Sequence, residues 1–553
     1  MNDKHFRLSF AGIDWLLLAL ICAAMEFPFI NKALQADSDM LVHAACMVAA
    51  QPIAPPIGEY GRHMATYNIH TGMPAASLYY RCPHGPLLPL LLAPISMVAG
   101  KAEWPFHLAL FPFTVAAVCG CYFILLLLTK RDIAFVTAVL ISLAPLFVVN
   151  CQNIMWDVPV FAFMVWSLGL LIDGVRRLSV PLLVLSGSLA SCAAITKMSS
   201  FPLLVCGLAF LIIARNVRLF AAWTVPAFVL PIAWILHNLS LYHVTQYLST
   251  GHLNFLPADI RYKMERFAPY IGGLAAFPLG WWWLALRGRI NAVVLFAGII
   301  GGLAWMTALH AILGCSIMYA ITCGFLGIAG TWASVSTFFM LLRDGQLTVS
   351  GKERFLLCGF FLAYGGFILV IPTAEPRFVI PLLPFLTLLL TLRVYALTKK
   401  EYRVALPVLI AGQALLALAV SASDALSADS DRQLPHILAA KGYGPFETWY
   451  YGRLQFDYYL WRAGYSRCGV DTGHEDRMRF AVEARVPPDL SVKNILPNRV
   501  SLTLADTIAV HRFPLRAGPP GCGIYGEDRL PYRLDFLTPL KSYSVYALHM
   551  LGG

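Results

Sequence analysis

Long apolar runs separated by short polar segments occupy most of this chain. The first run covers residues 12–30, and another clear run covers residues 107–128. Each is long enough for a membrane-spanning helix, because a bilayer core of about 30 Å needs roughly 20 apolar residues. The first run follows Lys4 and Arg7, lacks a convincing cleavage site and precedes many further runs. We therefore interpret it as a retained first span rather than a signal peptide.

The positions of Lys and Arg predict how the runs cross the membrane, because basic residues are retained on the cytoplasmic side. If every basic cluster between the runs is cytoplasmic, each interval between clusters crosses the membrane an even number of times. The interval 8–129 then holds two crossings, and its weakest apolar stretch, residues 84–100, does not span. Three prolines in that stretch remove backbone donors that lipid cannot replace. We predict an interfacial or re-entrant helix there, on the outer surface.

The remaining intervals each fit a pair of spans, and the last run leads outside. The predicted spans are 133–150 and 158–172, 179–195 and 200–214, 219–237 and 267–286, 292–312 and 317–340, 355–372 and 378–396, and finally 404–421. The prediction is a polytopic α-helical membrane domain, residues 1–422, with thirteen transmembrane helices and a cytoplasmic N-terminus. Its first external loop, residues 31–106, carries the interfacial helices.

Residues 423–553 are less hydrophobic and are predicted to form a small external α/β domain. They contain turn signals such as RAGPPGCG and strand-like pieces such as SLTLADTIAV. Cys468 and Cys522 both fall in this domain, where an oxidising compartment would permit a disulfide between them.

Composition supports the membrane interpretation and excludes some partners. Hydrophobic residues make up 58% of the chain and charged residues 13%, with a mean hydropathy of +0.67, whereas a soluble protein is about a quarter charged. The net charge of +11 could suit a nucleic-acid binder. The basic residues nevertheless form small groups between apolar runs, the usual membrane pattern. We therefore expect a bilayer, and no nucleic acid, as a partner.

The predicted topology collects acids and bases from five loops on one side of the membrane. They are Asp37, Asp39, His43, Glu59, Arg62, His63, His70, Arg81 and His84 in the first loop, then Asp157, Lys197, His252, Asp259, Arg261, Lys263, Glu265, Arg266, Glu375 and Arg377. Carboxylates and cations at a membrane interface indicate a site for an anionic lipid head group. Structural explanations exist for single residues, since Asp157 could cap a helix and Lys197 could extend to the interface.

Several fragments resemble one family, the GT-C fold glycosyltransferases that use polyprenyl-phosphate sugars. Within it, the chain is similar to the lipid A aminoarabinose transferases and the protein O-mannosyltransferases. DMLVHAA resembles their first-loop acidic motif, with Asp39 at the catalytic acid and Met40 where they have a second acid. HGPLLPLL resembles the opening of their interfacial helix, WDVPV carries their second acid at Asp157, and Thr196-Lys197 resembles a Thr-Lys-Gly turn. EPRFVIPLLPF and YGRLQFDYYLWRAGY resemble a late helix and an external aromatic motif.

The resemblance implies an inverting enzyme that moves a sugar from a polyprenyl-phosphate donor to a hydroxyl of a lipid, glycan or protein acceptor. It implies a bacterial inner-membrane protein whose active site and C-terminal domain face the periplasm. The implied roles are catalysis by Asp39, Asp157 and Asp37, donor-phosphate binding by Lys197, Arg377, Arg261, Arg266 and His84, and substrate binding by His43, Glu375 and Arg81. A divalent cation held by Asp39, Asp157 and His84 is an open alternative to neutralisation of the phosphate by cationic side chains alone.

Three other functions are compatible with these residues. One is a transporter or flippase of a lipid-linked saccharide, which predicts ionisable residues midway along the helices; few occur, and no pattern of paired broken helices supports it. The second is a polymerase or ligase that uses a lipid-linked oligosaccharide. The third is a structural subunit without activity. The polar content of the helix centres discriminates a transporter from a transferase.

Overall fold

The architecture is a helical bundle followed by a small sheet domain. The computed structural model describes residues 3–35, 38–51, 84–99, 102–242, 256–276, 278, 280, 317–343, 345–371, 375–451, 455–467, 478–484, 500–511, 513, 515–516, 533–534 and 540–550. Asp37, Arg81, Cys468 and Cys522 therefore lie outside the described residues.

The helices form in the order that the apolar runs predict. They are α1 (Asp3–Glu26), α2 (Ser38–Ala50), α3 (Leu87–Ala99), α4 (Trp104–Leu128), α5 (Arg131–Ser142), α6 (Pro145–Cys151), α7 (Asp157–Arg176), α8 (Val180–Ala194), α9 (Phe201–Ala214), α10 (Val217–Tyr242), α11 (Pro257–Tyr270), α12 (Ile317–Arg343), α13 (Gly351–Val370), α14 (Leu383–Tyr395), α15 (Lys399–Ala440) and α16 (Gln455–Arg462). Short 3₁₀ helices cover Phe27–Phe29, Met198–Ser200 and Pro376–Leu382, and a π-helical turn covers Ile271–Ala275.

Within the described residues, eight helices are long and apolar enough to cross a membrane. A ninth span results if α5 and α6, which meet at a bend of 59°, form one broken helix. The predicted span 292–312 lies outside the described residues, so the count of thirteen stays a prediction. α3 has 13 residues and packs against α2. This placement is the one expected of a non-spanning helix at the end of the bundle. α8 and α9, which cover the predicted spans 179–195 and 200–214, are also shorter than the eight long helices, with 15 and 14 residues, so these two spans stay predictions as well.

The last long helix links the membrane domain to the sheet domain. α15 has 42 residues, about twice the length that a bilayer core requires. The predicted domain boundary at 422/423 therefore lies inside a continuous helix. Beyond it, Leu434 and Leu438 are fully buried against the sheet. The outer part of α15 thus serves as part of the core of the C-terminal domain.

The described sheet has five strands in the order β2-β1-β3-β7-β4. They are β1 (Thr448–Tyr451), β2 (Ser466–Arg467), β3 (Phe480–Ala484), β4 (Val500–Val510) and β7 (Lys541–Met550), while β5 (Leu515–Arg516) pairs separately with β6 (Arg533–Leu534). β1 runs parallel to β2 and β3, and β7 runs antiparallel to β3 and β4. Alternation in β7 turns Tyr543 and Val545 toward α15. The Tyr543 hydroxyl donates to Asp431 of α15 at 2.6 Å, which fastens the sheet to the helix.

Candidate active site

A buried group of charges forms where α7 begins. The Lys197 amine donates to Oδ1 of Asp157 at 2.6 Å, and both side chains are about 95% buried, with exposures of 5% and 6%. The Arg377 guanidinium lies 3.8 Å from Oδ2 of the same carboxylate and forms an ion pair with Glu375. We call these four residues the charge cluster. Three segments that are remote in sequence meet in it.

The charges of the charge cluster compensate one another inside the protein. Burial lowers the pKa of the Lys197 amine, Asp157 opposes this shift, and the charge of Arg377 adds to it. The two acids and the two bases of the cluster offset one another, as buried charges require.

His84 reaches this region because its loop is fastened to the turn that carries Lys197. The Gly85 amide donates to the Thr196 carbonyl at 3.2 Å. A Cβ atom at Gly85 would lie 1.9 Å from the Ile195 carbonyl oxygen, so a residue without a side chain is needed for the close approach. The His84 ring then packs on Trp156 at a centroid distance of 4.3 Å, near enough to Asp157 for their charges to interact.

Aromatic and sulfur groups that sequence reasoning missed surround the cations. The Lys197 amine lies 5.0 Å from the centre of the Phe378 ring, and the Arg377 guanidinium lies 5.8 Å from it. Arg377 also donates to the sulfur of Met155 at 3.8 Å. Such rings attract cations while excluding water. Phe378 follows Arg377 directly in the sequence, and this adjacency was the only hint that its ring lies near the cations.

Asp39 lies in the first turn of α2 and is fully buried. Burial raises the pKa of the Tyr458 phenol to about 12, and the charge of Asp39 contributes to the rise. Leu41 of α2 and Trp156 belong to one hydrophobic cluster. The helix that carries Asp39 and the segment just before Asp157 therefore contribute to the same hydrophobic cluster. His43 is half-buried on the same helix.

α11 carries three of the predicted external cations in different environments. Arg261, whose side chain is 68% exposed, pairs with Glu265 on the same helix at 3.0 Å. The buried Arg266 lies over the Tyr262 ring at 3.2 Å. Lys263 is buried and donates to the Ile371 carbonyl, shortly before Glu375 in sequence. Lys263, which was not singled out from the sequence as a phosphate ligand, thus contacts the residue that follows α13.

A second polar group joins α4, α15 and α16. Oε1 of Glu103 accepts from the Tyr459 hydroxyl at 2.6 Å, and Oε2 accepts from Arg432 at 3.2 Å. The Tyr459 oxygen also accepts from the Leu34 amide at 2.8 Å. A cavity of about 630 Å³ adjoins this group, lined by Asn31, Ala102, Glu103, Arg432, Pro435, His436, Ala439, Pro445, Tyr459, Arg462, Ala463 and Tyr465. The aromatic fragment of the sequence thus forms one wall of a cavity.

The described donor set does not fit the divalent cation that was left open. In the part of the chain that the structure describes, no three His, Cys, Asp or Glu side chains stand close enough to hold a metal ion. Asp157 is engaged by Lys197 and Arg377, and a cation there would meet two positive charges. The sugar transfer proposed for this site therefore uses no metal ion.

Comparisons with known proteins agree with the fold that the motifs suggested. Residues 83–239, which include His84, Asp157 and Lys197, match the family model described as dolichyl-phosphate-mannose-protein mannosyltransferase. No curated protein matches this sequence.

Two solved structures resemble the chain over nearly its whole length. ArnT from Cupriavidus metallidurans bound to undecaprenyl phosphate has a TM-score of 0.52 and 12% identity, covering 99% of this chain and 98% of that one. The same protein in the apo state has a TM-score of 0.50 and 13% identity, with equal coverage. These likenesses confirm the predicted fold. The chain has the GT-C fold, and the family match supports a membrane glycosyltransferase that uses a lipid-linked sugar donor.

Proposed function

We propose that this protein transfers a sugar from a polyprenyl-phosphate carrier to an acceptor hydroxyl, with inversion at the sugar. The observation that carries the proposal is the charge cluster, buried at a helix end beside His84 in a chain with the GT-C fold. The positive-inside pattern supports an active site on the periplasmic side of a bacterial inner membrane. The similar ArnT structure contains undecaprenyl phosphate, which supports a carrier of that kind.

The donor phosphate would bind the two cations of the charge cluster. Lys197 and Arg377 can each exchange a carboxylate partner for a phosphate oxygen, and such charge-assisted hydrogen bonds are stronger than neutral ones. Their contribution grows as the bond from the sugar to the phosphate breaks, because the phosphate leaves with the bonding electrons and gains charge. His84 and the α11 cation Lys263 would complete the positive surroundings.

Asp39 would act on the acceptor. Its carboxylate takes the proton of the acceptor hydroxyl while the hydroxyl oxygen attacks the anomeric carbon on the face opposite the phosphate. The transition state has oxocarbenium character, as in other glycosyl chemistry. The products are the inverted glycoside and the polyprenyl phosphate. Asp157, held by Lys197, would keep the cations oriented toward the donor before it binds.

The acceptor would approach through the cavity beside Glu103. Tyr459 lines that cavity, and its chain neighbour Tyr458 lies within electrostatic reach of Asp39. We propose that an acceptor bound in the cavity reaches Asp39 past Tyr458 and Tyr459. Its lining combines guanidinium, imidazole, carboxylate and phenol groups, which can hydrogen-bond a hydroxyl-rich acceptor.

The placement of the described ion pairs favours a transferase over a transporter. Arg131, Arg176 and Glu353, which pair with Asp14 and with each other, lie at helix ends that are predicted to be cytoplasmic, and the charge cluster lies at the start of α7, at its opposite end. A transporter would need polar groups midway along the helices to serve a path. A cavity open to one side is the arrangement that a transferase requires.

The test is sugar transfer by the purified full-length protein in nanodiscs, supplied with radiolabelled polyprenyl-phosphate sugars and a membrane extract as acceptor. Asp39→Asn should lower turnover by ~10²–10⁴-fold, the usual contribution of a positioned base, while undecaprenyl phosphate still binds. The matched control is Asp506→Asn, which changes a carboxylate of the outer sheet that pairs with Lys441. Near-normal turnover of Asp39→Asn would exclude the assigned role.

A further inference from the structure

A fully buried ion pair lies outside the charge cluster and has no role in the chemistry above. Lys32, between α1 and α2, pairs with Asp424 of α15, and neither side chain is exposed at all. The Lys32 amine also donates to Oδ1 of Asn153 at 2.8 Å. One ammonium group thus joins three segments that lie 121 and 392 residues apart in sequence.

Two of these segments lead to Asp39, the proposed base, and to Asp157, the carboxylate that holds Lys197. Lys32 stands just before α2, whose first turn carries Asp39. Asn153 stands in the turn that precedes α7, whose first residue is Asp157. The Lys32–Asn153 hydrogen bond therefore sets the distance between the segment before α2 and the turn before α7. Asp424 holds the amine from the side of α15.

Neighbouring hydrogen bonds hold both of these segments in place. His107 of α4 bonds the Lys32 carbonyl at 3.0 Å, and the Leu34 amide donates to Tyr459 at 2.8 Å. In the turn before α7, Gln152 donates to the Met25 carbonyl at 2.8 Å. Each segment is hydrogen-bonded to its surroundings, and Lys32 bonds one segment to the other.

Stability alone does not account for this pair. Burying an ammonium and a carboxylate costs several kcal/mol per ion, and a well-packed apolar pair is often as stable or more so. Burial lowers the pKa of the Lys32 amine, and the charge of Asp424 opposes that shift. What an apolar pair could not supply is the directed hydrogen bond to Asn153.

We propose that Lys32 is a positioning residue that sets the spacing between the segments carrying Asp39 and Asp157. The inference rests on the proposed function for the roles of those two carboxylates. It makes α15, and with it the C-terminal domain, part of the support of the active site.

The first experiment replaces the whole ion pair. Lys32→Met or Asp424→Leu alone should lower Tm, because each leaves a buried charge without its partner. The double variant Lys32→Met/Asp424→Leu should regain most of the Tm, yet its turnover should stay roughly 10- to 100-fold low, since small misplacements of reacting groups cost that much. The donor KM should not change. The matched control is Arg176→Met/Glu353→Leu, an ion pair at the other end of the bundle.

A second variant keeps the proposal testable if the double variant does not fold. Asn153→Ala removes the bond to Lys32 and a local bond from the Asn153 side-chain amide to the Val149 carbonyl, and leaves the ion pair intact. Asn150→Ala is its control, because Asn150 makes the equivalent local bond, to the Leu146 carbonyl, whereas the Lys32 amine bonds Asn153. Turnover should fall in Asn153→Ala and not in Asn150→Ala. Equal turnover in the two, or full turnover in the double variant, would reduce Lys32 to a structural role.

Hydrogen exchange gives a readout that needs no sugar transfer. Peptides covering residues 31–45 and 150–158 should lose protection in Lys32→Met/Asp424→Leu and keep it in the Arg176/Glu353 control. Unchanged protection would overturn the positioning role even if transfer is impaired. If the wild-type protein transfers no sugar while protection is lost as expected, the proposed function fails and the positioning of the two segments stands.

Discussion

At the scale of single residues, the site depends on how each buried charge is compensated. Lys197 is compensated by Asp157 through one short hydrogen bond. Arg377 is compensated by Asp157 and Glu375 and shielded by Phe378. Because both cations are buried away from solvent, a charged partner interacts with them more strongly than it would in water.

Lys197→Met should raise the donor KM and lower turnover, because the leaving phosphate loses a charge-assisted donor. It should also cost roughly 3–5 kcal/mol of stability, since Asp157 stays buried with one partner fewer. Transfer kinetics and thermal unfolding of the same preparation measure both effects. Lys441→Met, which removes an exposed lysine of the C-terminal domain, should leave both unchanged. An unaltered donor KM in Lys197→Met would remove this residue from the phosphate site.

Gly85→Ala tests the fastening of His84 to the Lys197 turn. The added Cβ would meet backbone at 1.9 Å, so the loop must shift, and overpacking of this kind costs about 1–3 kcal/mol. Turnover should fall together with Tm. Gly359→Ala in α13, where no atom lies within 4 Å of the added Cβ, should keep the activity. Wild-type activity of Gly85→Ala would show that the loop reaches its place by another route.

At the scale of elements, α15 and α16 connect the sheet domain to the first loop. Burial raises the pKa of Glu103, while Tyr459 and Arg432 lower it. Tyr459 lies in α16, Arg432 lies in α15, and Glu103 directly precedes α4. A substitution in α16 should therefore alter the position of α2, although the two helices are far apart in sequence.

Tyr459→Phe removes one hydroxyl from this connection. The Leu34 amide loses its acceptor and Glu103 loses a donor, at a cost of about 1–3 kcal/mol for buried groups left unsatisfied. We expect a lower Tm and a lower turnover. Tyr546→Phe is the matched control, because its hydroxyl donates to Glu483 within the sheet. Equal effects of the two substitutions on turnover would show that α16 does not support the site.

At the scale of the whole molecule, donor and acceptor are proposed to enter from different regions. The charge cluster would hold the donor phosphate, and the cavity beside Glu103 would admit the acceptor. Arg462→Met, at the wall of that cavity, should raise the KM for the acceptor and leave the donor KM unchanged. Titration of each substrate at saturating amounts of the other measures the difference. An increase confined to the donor KM would assign the cavity to the carrier lipid.

Sequence reasoning reached the class of the molecule because hydropathy is a local property. The membrane domain, the short non-spanning α3 and the sheet-containing C-terminal domain all follow from runs of similar residues. The motifs also identified Asp157, Lys197, Glu375, Arg377 and His84, which the structure brings together or places side by side. The position of the domain boundary within α15 did not follow, because a helix can continue past the point where its residues stop being apolar.

The sequence by itself therefore determined the architecture and the candidate residues, since both depend on local composition and short motifs. Tertiary structure decided which charges meet. Lys197 pairs with Asp157 across 40 residues, and Lys32 with Asp424 across 392. It also distinguished the buried Lys263 from the exposed Arg261, two residues apart on one helix. Such choices depend on the packing of whole helices, because a buried charge must find its partner wherever the fold brings one within reach.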